Sequence, residues 1–154
     1  MGTLYAIAQS WLGTPFQHQG RLKGIGVDCI GLVLEVYREA GVLQHLGLPQ
    51  GWDYTGYKRQ GVGQVMQRII GQYLVKALPP YLAGAVGVFL CDGTQPTHVA
   101  LLFPDGDSVA MIHSVDSAHD SSPRSKRKVQ EHALRGFWAH RLRAVYAPPG
   151  WEEK

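Results

Sequence analysis

A cysteine, two histidines and an aspartate are the residues of this 154-residue chain whose types and spacing suit chemistry. Cys29 lies in Gly26-Val27-Asp28-Cys29-Ile30-Gly31-Leu32-Val33, where a glycine-containing loop runs into an apolar segment of helical period. That spacing predicts a thiol on the first turn of a helix. Unpaired N–H groups and the positive end of the helix dipole favour thiolate there. A free cysteine is more often a small buried hydrophobe, so a base must decide between the two readings. His98 and His113 bracket a hairpin candidate with Asp105-Gly106 at its tip, a dipeptide favoured in two-residue turns. A turn centred there sets the two histidines directly opposite each other on one sheet face, with Cβ atoms roughly 4.5–5.5 Å apart. A slip of one residue would put one imidazole on each face. Nucleophile, base and ring-orienting residue are the parts of thiol acyl transfer.

The elements that must position these groups are legible as periodicities. Leu4, Ile7, Ala8 and Trp11 predict a first short helix after a Thr3 cap, ended by Gly13-Thr14-Pro15. Ile30, Val33, Leu34 and Tyr37 predict a second, capped by Asp28 and closed by Gly41. The stripe from Val62 to Ala77 predicts a third, stopped by Pro79-Pro80. Between the second and third, Trp52, Tyr54 and Tyr57 mark a loop that packs its own aromatics or lines a groove. Beyond Pro80 the pattern turns to strands, at 85–90, 98–103, 109–115 and 140–146. Helices followed by strands predict an α+β fold with a largely antiparallel sheet.

Composition narrows the function. The size fits one domain, 1–154, and hydrophobic residues make up 45% of it, enough for a core of its own. The net charge of +3 favours anionic partners mildly, but the basic run at 124–128 carries no interleaved aromatic residue, so nucleic acid is not expected as a partner. The absence of a long apolar run argues against membrane insertion. Neither CxxC nor HExxH is present, so no metal or other cofactor is expected. The opening residues carry no basic n-region, which predicts synthesis in the cytoplasm without a signal peptide. Cys29 and Cys91 are then expected to be free thiols, with Cys91 structural.

Over nearly the whole chain, from Trp11 to about Tyr146, the sequence resembles the NlpC-type family of papain-like cell-wall peptidases. The resemblance is carried by Leu12-Gly13-Thr14-Pro15-Phe16, by Val27-Asp28-Cys29-Ile30-Gly31-Leu32-Val33, and by Thr97-His98-Val99-Ala100 with Met111-Ile112-His113-Ser114. It implies a papain-like fold with N-terminal helices packed on a central antiparallel sheet. It also implies Cys29 as nucleophile, His98 as general base and His113 as the ring-orienting residue. The implied substrates are peptidoglycan stem peptides, cut between D-glutamate and a diamino acid through a thioester. Asp28 is implied at the substrate-binding end of the cleft, with Phe16 and His18 beside it. Phe16 stands where many members have tyrosine, His18 where an aromatic is usual, and Gln19 where a glycine is usual. A leaderless domain of this size is similar to the subgroup carried in phage and prophage tails, which would make tail proteins its partners. The alternatives are a non-catalytic tail or assembly protein that keeps the fold, and an amidase or acyltransferase using the same thiol.

Overall fold

The computed structural model describes residues 2–57, 62–91, 97–116 and 127–153, with the side chains of 62–66 left aside. The polar and basic run between 117 and 126 lies outside the described residues. Helix α1 spans Thr3–Gln9; its N-cap is Gly2 rather than the expected Thr3. The two-residue strands β1, Arg21–Leu22, and β2, Gly26–Val27, then pair as a small antiparallel ribbon that delivers the chain to α2, Cys29–Ala40. Helix α2 starts and stops where its sequence demands. Asp28 accepts from the Gly31 N–H at one end, and Gly41 takes the left-handed conformation with φ 84 at the other. A short α3, Val42–His45, follows directly.

Helix α4 covers Val62–Tyr73 and ends earlier than its apolar stripe. The last residues of that stripe leave the helix because Val75–Lys76 forms β3, an edge strand paired with β8. Strand β4 is Ala85–Phe89, β5 His98–Asp105, β6 Ser108–Ser114 and β7 Val129–Ala133. Helix α5, Gly136–Arg141, precedes β8, Leu142–Ala147, so His140 is helical and not the first residue of the last strand. The six strands form one antiparallel sheet in the order β3-β8-β4-β5-β6-β7.

Side-chain alternation sorts the interior into two layers. Val86, Val88, Val99, Leu101, Phe103 and Ile112 face α1 and α2 and meet Leu4, Ala8, Leu32 and Val36. Ala85, Phe89, Ala100, Leu102, Met111 and Val145 face the other way and are covered by Trp138 of α5. The central strands are buried on both sides, which explains their nearly continuous apolar runs.

The hairpin of β5 and β6 has a register different from the one expected. Leu101 pairs with Ile112 and Asp105 with Ser108, so the turn is Gly106-Asp107 rather than Asp105-Gly106. Gly106 has φ 59 at the first turn position, where a residue with a Cβ would be strained. The offset from the expected pairing is two residues. Because the side-chain period is also two, His98 and His113 stay on one face and become diagonal neighbours instead of opposite ones.

Candidate active site

Cys29 is 8% exposed, and the loop that carries it is held from three directions. The Val27 N–H donates to the Pro15 carbonyl, and the Val27 carbonyl accepts from the Gln17 N–H and from the buried Ser114 hydroxyl at 2.7 Å. Ser114 follows His113 on β6, so one bond ties the approach to the nucleophile to a histidine strand. The segment Gly13 to Phe16 is laced to β7 in turn. The Gly13 N–H donates to the Val129 carbonyl, the Val129 N–H to the Thr14 carbonyl, and the Phe16 N–H to the Arg127 carbonyl.

The Asp28 carboxylate is filled with donors. One oxygen accepts from the Gly31 N–H at 2.7 Å and Arg21 at 3.1 Å; the other accepts from the Gln19 N–H at 2.7 Å and the Tyr57 hydroxyl at 2.6 Å. Arg21 also donates to Tyr57, to the Tyr54 carbonyl and to Asp53. Burial opposes the Arg21 cation, but the bond to Tyr57 and the charge of Asp28 outweigh it, and its pKa is raised. Burial, then the Asp28 charge, pushes the Tyr57 phenol well above its ordinary value. Gly31 is required here on steric grounds. A Cβ at that position would come within 2.5 Å of both the Gly20 carbonyl and the Arg21 guanidinium, forcing the Arg21–Asp28 pair away from the helix. Gln19 stands at φ 59, the left-handed region where glycine is free of strain. Its side chain ties down the loop by donating to the carbonyls of Thr55 and Tyr57.

His18 is partly exposed and meets the Tyr57 ring edge-on at 5.5 Å. Phe16 is half-buried and bridges to Val27. Both therefore border the Asp28–Tyr57 network. Tyr54 stacks on Tyr57, and Trp52 packs edge-on against Tyr73. Tyr54 and Trp52 also line an apolar pocket, together with Ile30, Tyr73 and Val99.

The thiol is not a preformed thiolate. Burial first, and then the Asp28 charge, pushes it up from 9.0 to about 12, against a smaller lowering by the backbone N–H groups of Val99 and Ile30. This corrects the expectation of a thiol acidified by its helix. The helix start is present, but the sulfur is dry and has a carboxylate as its chain neighbour. Val99 directly follows His98, so the sulfur meets β5 one residue from that histidine.

His98 and His113 are fully buried. His98 Nε2 lies 2.7 Å from His113 Nδ1, and His113 Nε2 lies 2.8 Å from Nδ1 of His132 on β7. Trp138 packs against all three rings, at 5.3, 4.6 and 6.3 Å between centroids. The sequence reading missed His132 because Val-Gln-Glu-His-Ala is a polar edge strand with no clear apolar alternation. Its signal is recoverable only through pairing: Met111 opposite His132 makes His132 a diagonal neighbour of His113. Among the described residues no group of three or more His, Cys, Asp or Glu is disposed to hold a metal ion. No described helix is long and apolar enough to cross a membrane.

The arrangement of helices and sheet has counterparts among solved structures. The chain superimposes on the NlpC/p60 domain of the peptidoglycan hydrolase SagA with a TM-score of 0.53 and 20% identity, over 94% of this chain and 95% of that one. The fold is that of NlpC/p60 domains. A lipoprotein-like NLP/P60 family protein of Staphylococcus aureus gives a TM-score of 0.56 at 19% identity, over 94% of this chain. This chain spans only 39% of that protein's length. No protein-family model matches the sequence, and no curated protein does. The α+β architecture with N-terminal helices on an antiparallel sheet is thus the NlpC-type fold that the motifs implied.

Proposed function

We propose that this chain is a cysteine endopeptidase that hydrolyses peptidoglycan stem peptides, with Cys29 as nucleophile, His98 as general base and His113 as the residue that orients the base. The observation that carries the reading is a helix-start thiol that meets the backbone N–H of Val99 on β5, next in sequence to the buried His98, whose ring pairs with that of the buried His113 on β6. The fold shared with the NlpC/p60 domain of a peptidoglycan hydrolase supports the substrate class.

The chemistry starts from neutral partners. His98 gives Nε2 to His113, so Nδ1, the nitrogen nearer its main chain, is the one that takes the thiol proton as sulfur attacks the carbonyl. The backbone N–H of Ile30, which bonds the sulfur on the first turn of α2, is the group we assign to stabilising the oxyanion. Protonated His98 returns the proton to the leaving amine, and a thioester remains. Water, deprotonated by the same ring, attacks that thioester and frees the acid and the thiol. Starting neutral, the pair needs no charge in a dry site until the substrate is bound.

The bond between D-glutamate and a diamino acid is the proposed point of cleavage. The Asp28–Tyr57 network, with His18 and Phe16 at its border, forms the proposed substrate end of the cleft. We assign the whole chain, 1–154, to one catalytic domain, and a phage or prophage tail to its delivery to the wall. Digestion of purified muropeptides, followed by mass spectrometry, tests the activity. Wild type shortens the peptides and Cys29→Ala does not; equal products from both would remove the proposal.

A second reading has one observation in its favour, the protonated and nearly inaccessible thiol. In that reading the fold serves tail assembly without catalysis. Absence of cleavage by wild type, with normal particles formed by Cys29→Ala, would select it.

A further inference from the structure

We infer that the pocket between α2 and α4 is a binding site for the hydrocarbon chain of a single-chain amphiphile, and that a chain seated there steadies the two residues whose N–H groups hold the Cys29 sulfur. Only apolar atoms face the space. The phenol that lines it from α2, Tyr37, gives its hydroxyl proton to the Gly84 carbonyl at 2.6 Å. A ligand there makes no hydrogen bond to the lining, and a charged or amide group would lose its hydration without compensation. Stem peptides, with their carboxylates and amines, do not suit such a lining; hydrocarbon does.

The shape of the pocket selects a chain. Ile30, Val33, Leu34 and Tyr37 stand at i, i+3, i+4 and i+7 on α2, a stripe about 10 Å long, and Ile70 and Tyr73 line the same space from α4. The space is about 70 Å³, several times what one water-sized group needs. Spread over two turns of helix, that volume is long and narrow, which fits an extended chain better than a ring system. Ile30, Val33, Ile70 and Tyr73 are only half-buried, so the pocket has a mouth at which a polar head group stays in water.

Ile30 and Val99 belong to the pocket and to the thiol at once. Both line the space, and the backbone N–H of each bonds the Cys29 sulfur. Cys29 is buried, so a reagent reaches it only when this neighbourhood opens locally. Opening that moves Ile30 or Val99 also breaks the pocket. A ligand that binds the closed form therefore lowers the open population by the factor 1 + [L]/Kd. This linkage requires no turnover and stands apart from the proposed peptidase activity.

Isothermal titration calorimetry of the full chain with hexanol, octanol and decanol reads the site. One chain should bind per protein, with affinity rising about fourfold for each added methylene. Decanoate should match decanol within about threefold, because its carboxylate stays outside the apolar lining. Ile70→Trp fills the space and should weaken decanol binding by about tenfold or more. Val33→Phe narrows it from the α2 side and takes over the comparison if Ile70→Trp does not fold. With decanol at ten times its Kd, iodoacetamide should label Cys29 about tenfold more slowly, while Cys91, which is not in the lining, keeps its rate. Absence of saturable binding, affinity indifferent to chain length, equal affinity in the filled variant, or an unchanged Cys29 rate at saturation would each overturn the inference. A wild type that binds decanol in this way yet leaves muropeptides intact would remove the peptidase proposal and keep this site.

Discussion

The two flanks of Cys29 are built from opposite materials. On one flank Asp28 is held by charge, with a guanidinium, a phenol and two backbone N–H groups on its two oxygens. On the other, three imidazoles are joined by shared protons and packed on a tryptophan. The charged flank has one arrangement and no reason to leave it. A charged scaffold and a file of imidazoles are thereby kept apart, with Cys29 next in sequence to Asp28 and its sulfur on the Val99 N–H beside His98.

Removing a member from each flank should have different consequences. His98→Ala should lower kcat by about 10³-fold or more, as expected for a base acting as a unit with its nucleophile, while urea unfolding retains a cooperative transition. Asp28→Ala should do the reverse in kind. It strips the cap from α2 and removes one of the two carboxylates that pair with Arg21, so a loss of about 2–4 kcal/mol in the same urea measurement is expected. A kinetic defect without a stability defect in Asp28→Ala would erase the distinction between the flanks.

Truncating Trp138 touches the histidine flank through packing alone. Trp138→Ala should cost about 3–5 kcal/mol for the cavity left against the rings, and the crossed and stacked ring planes should relax. Kinetics should worsen chiefly in kcat, because no substrate group is asked to touch Trp138.

Alkaline titration sharpens the contrast on a smaller scale. The folded state holds the Cys29 proton up to about 12 against 9.0 for an ordinary thiol, and burial holds the Tyr37 and Tyr57 protons above their ordinary value as well. Groups raised in the folded state contribute their stability below the unfolded pKa and lose it above. Stability should thus be flat to about pH 9 and fall from there towards pH 12, by at most about 1.4 kcal/mol per pH unit for each group. Cys29→Ala should flatten the first part of that fall. A smaller effect concerns labelling: burial leads us to expect Cys91, the more accessible thiol, to react with iodoacetamide before Cys29 at neutral pH. The opposite order would mean that His98 already draws the proton from Cys29 without substrate.

What could be read from the chain divides along similar lines. The Asp28–Cys29 helix start, the Gly41 stop and the face shared by His98 and His113 follow from local period and capping, and the structure has them. The register error was harmless because it was even; a slip of one would have separated the rings. Three things were out of reach locally. The ionisation of Cys29 depends on how deeply distant strands bury it. The end of α4 depends on β8 offering an edge to Val75–Lys76. Strand β7 exists because β6 pairs with it, and its five residues carry little apolar alternation to announce that. His132 was hidden for the same reason, although its residue type was in plain view.

The lacing of Gly13, Thr14 and Phe16 to Val129 and Arg127 joins parts of the chain that leave the ribosome far apart in time. The thiol emerges early, its first two imidazoles well after it, and the strand bearing the third later still. A nascent chain thus carries the Cys29 sulfur before the strands that bury it have been made.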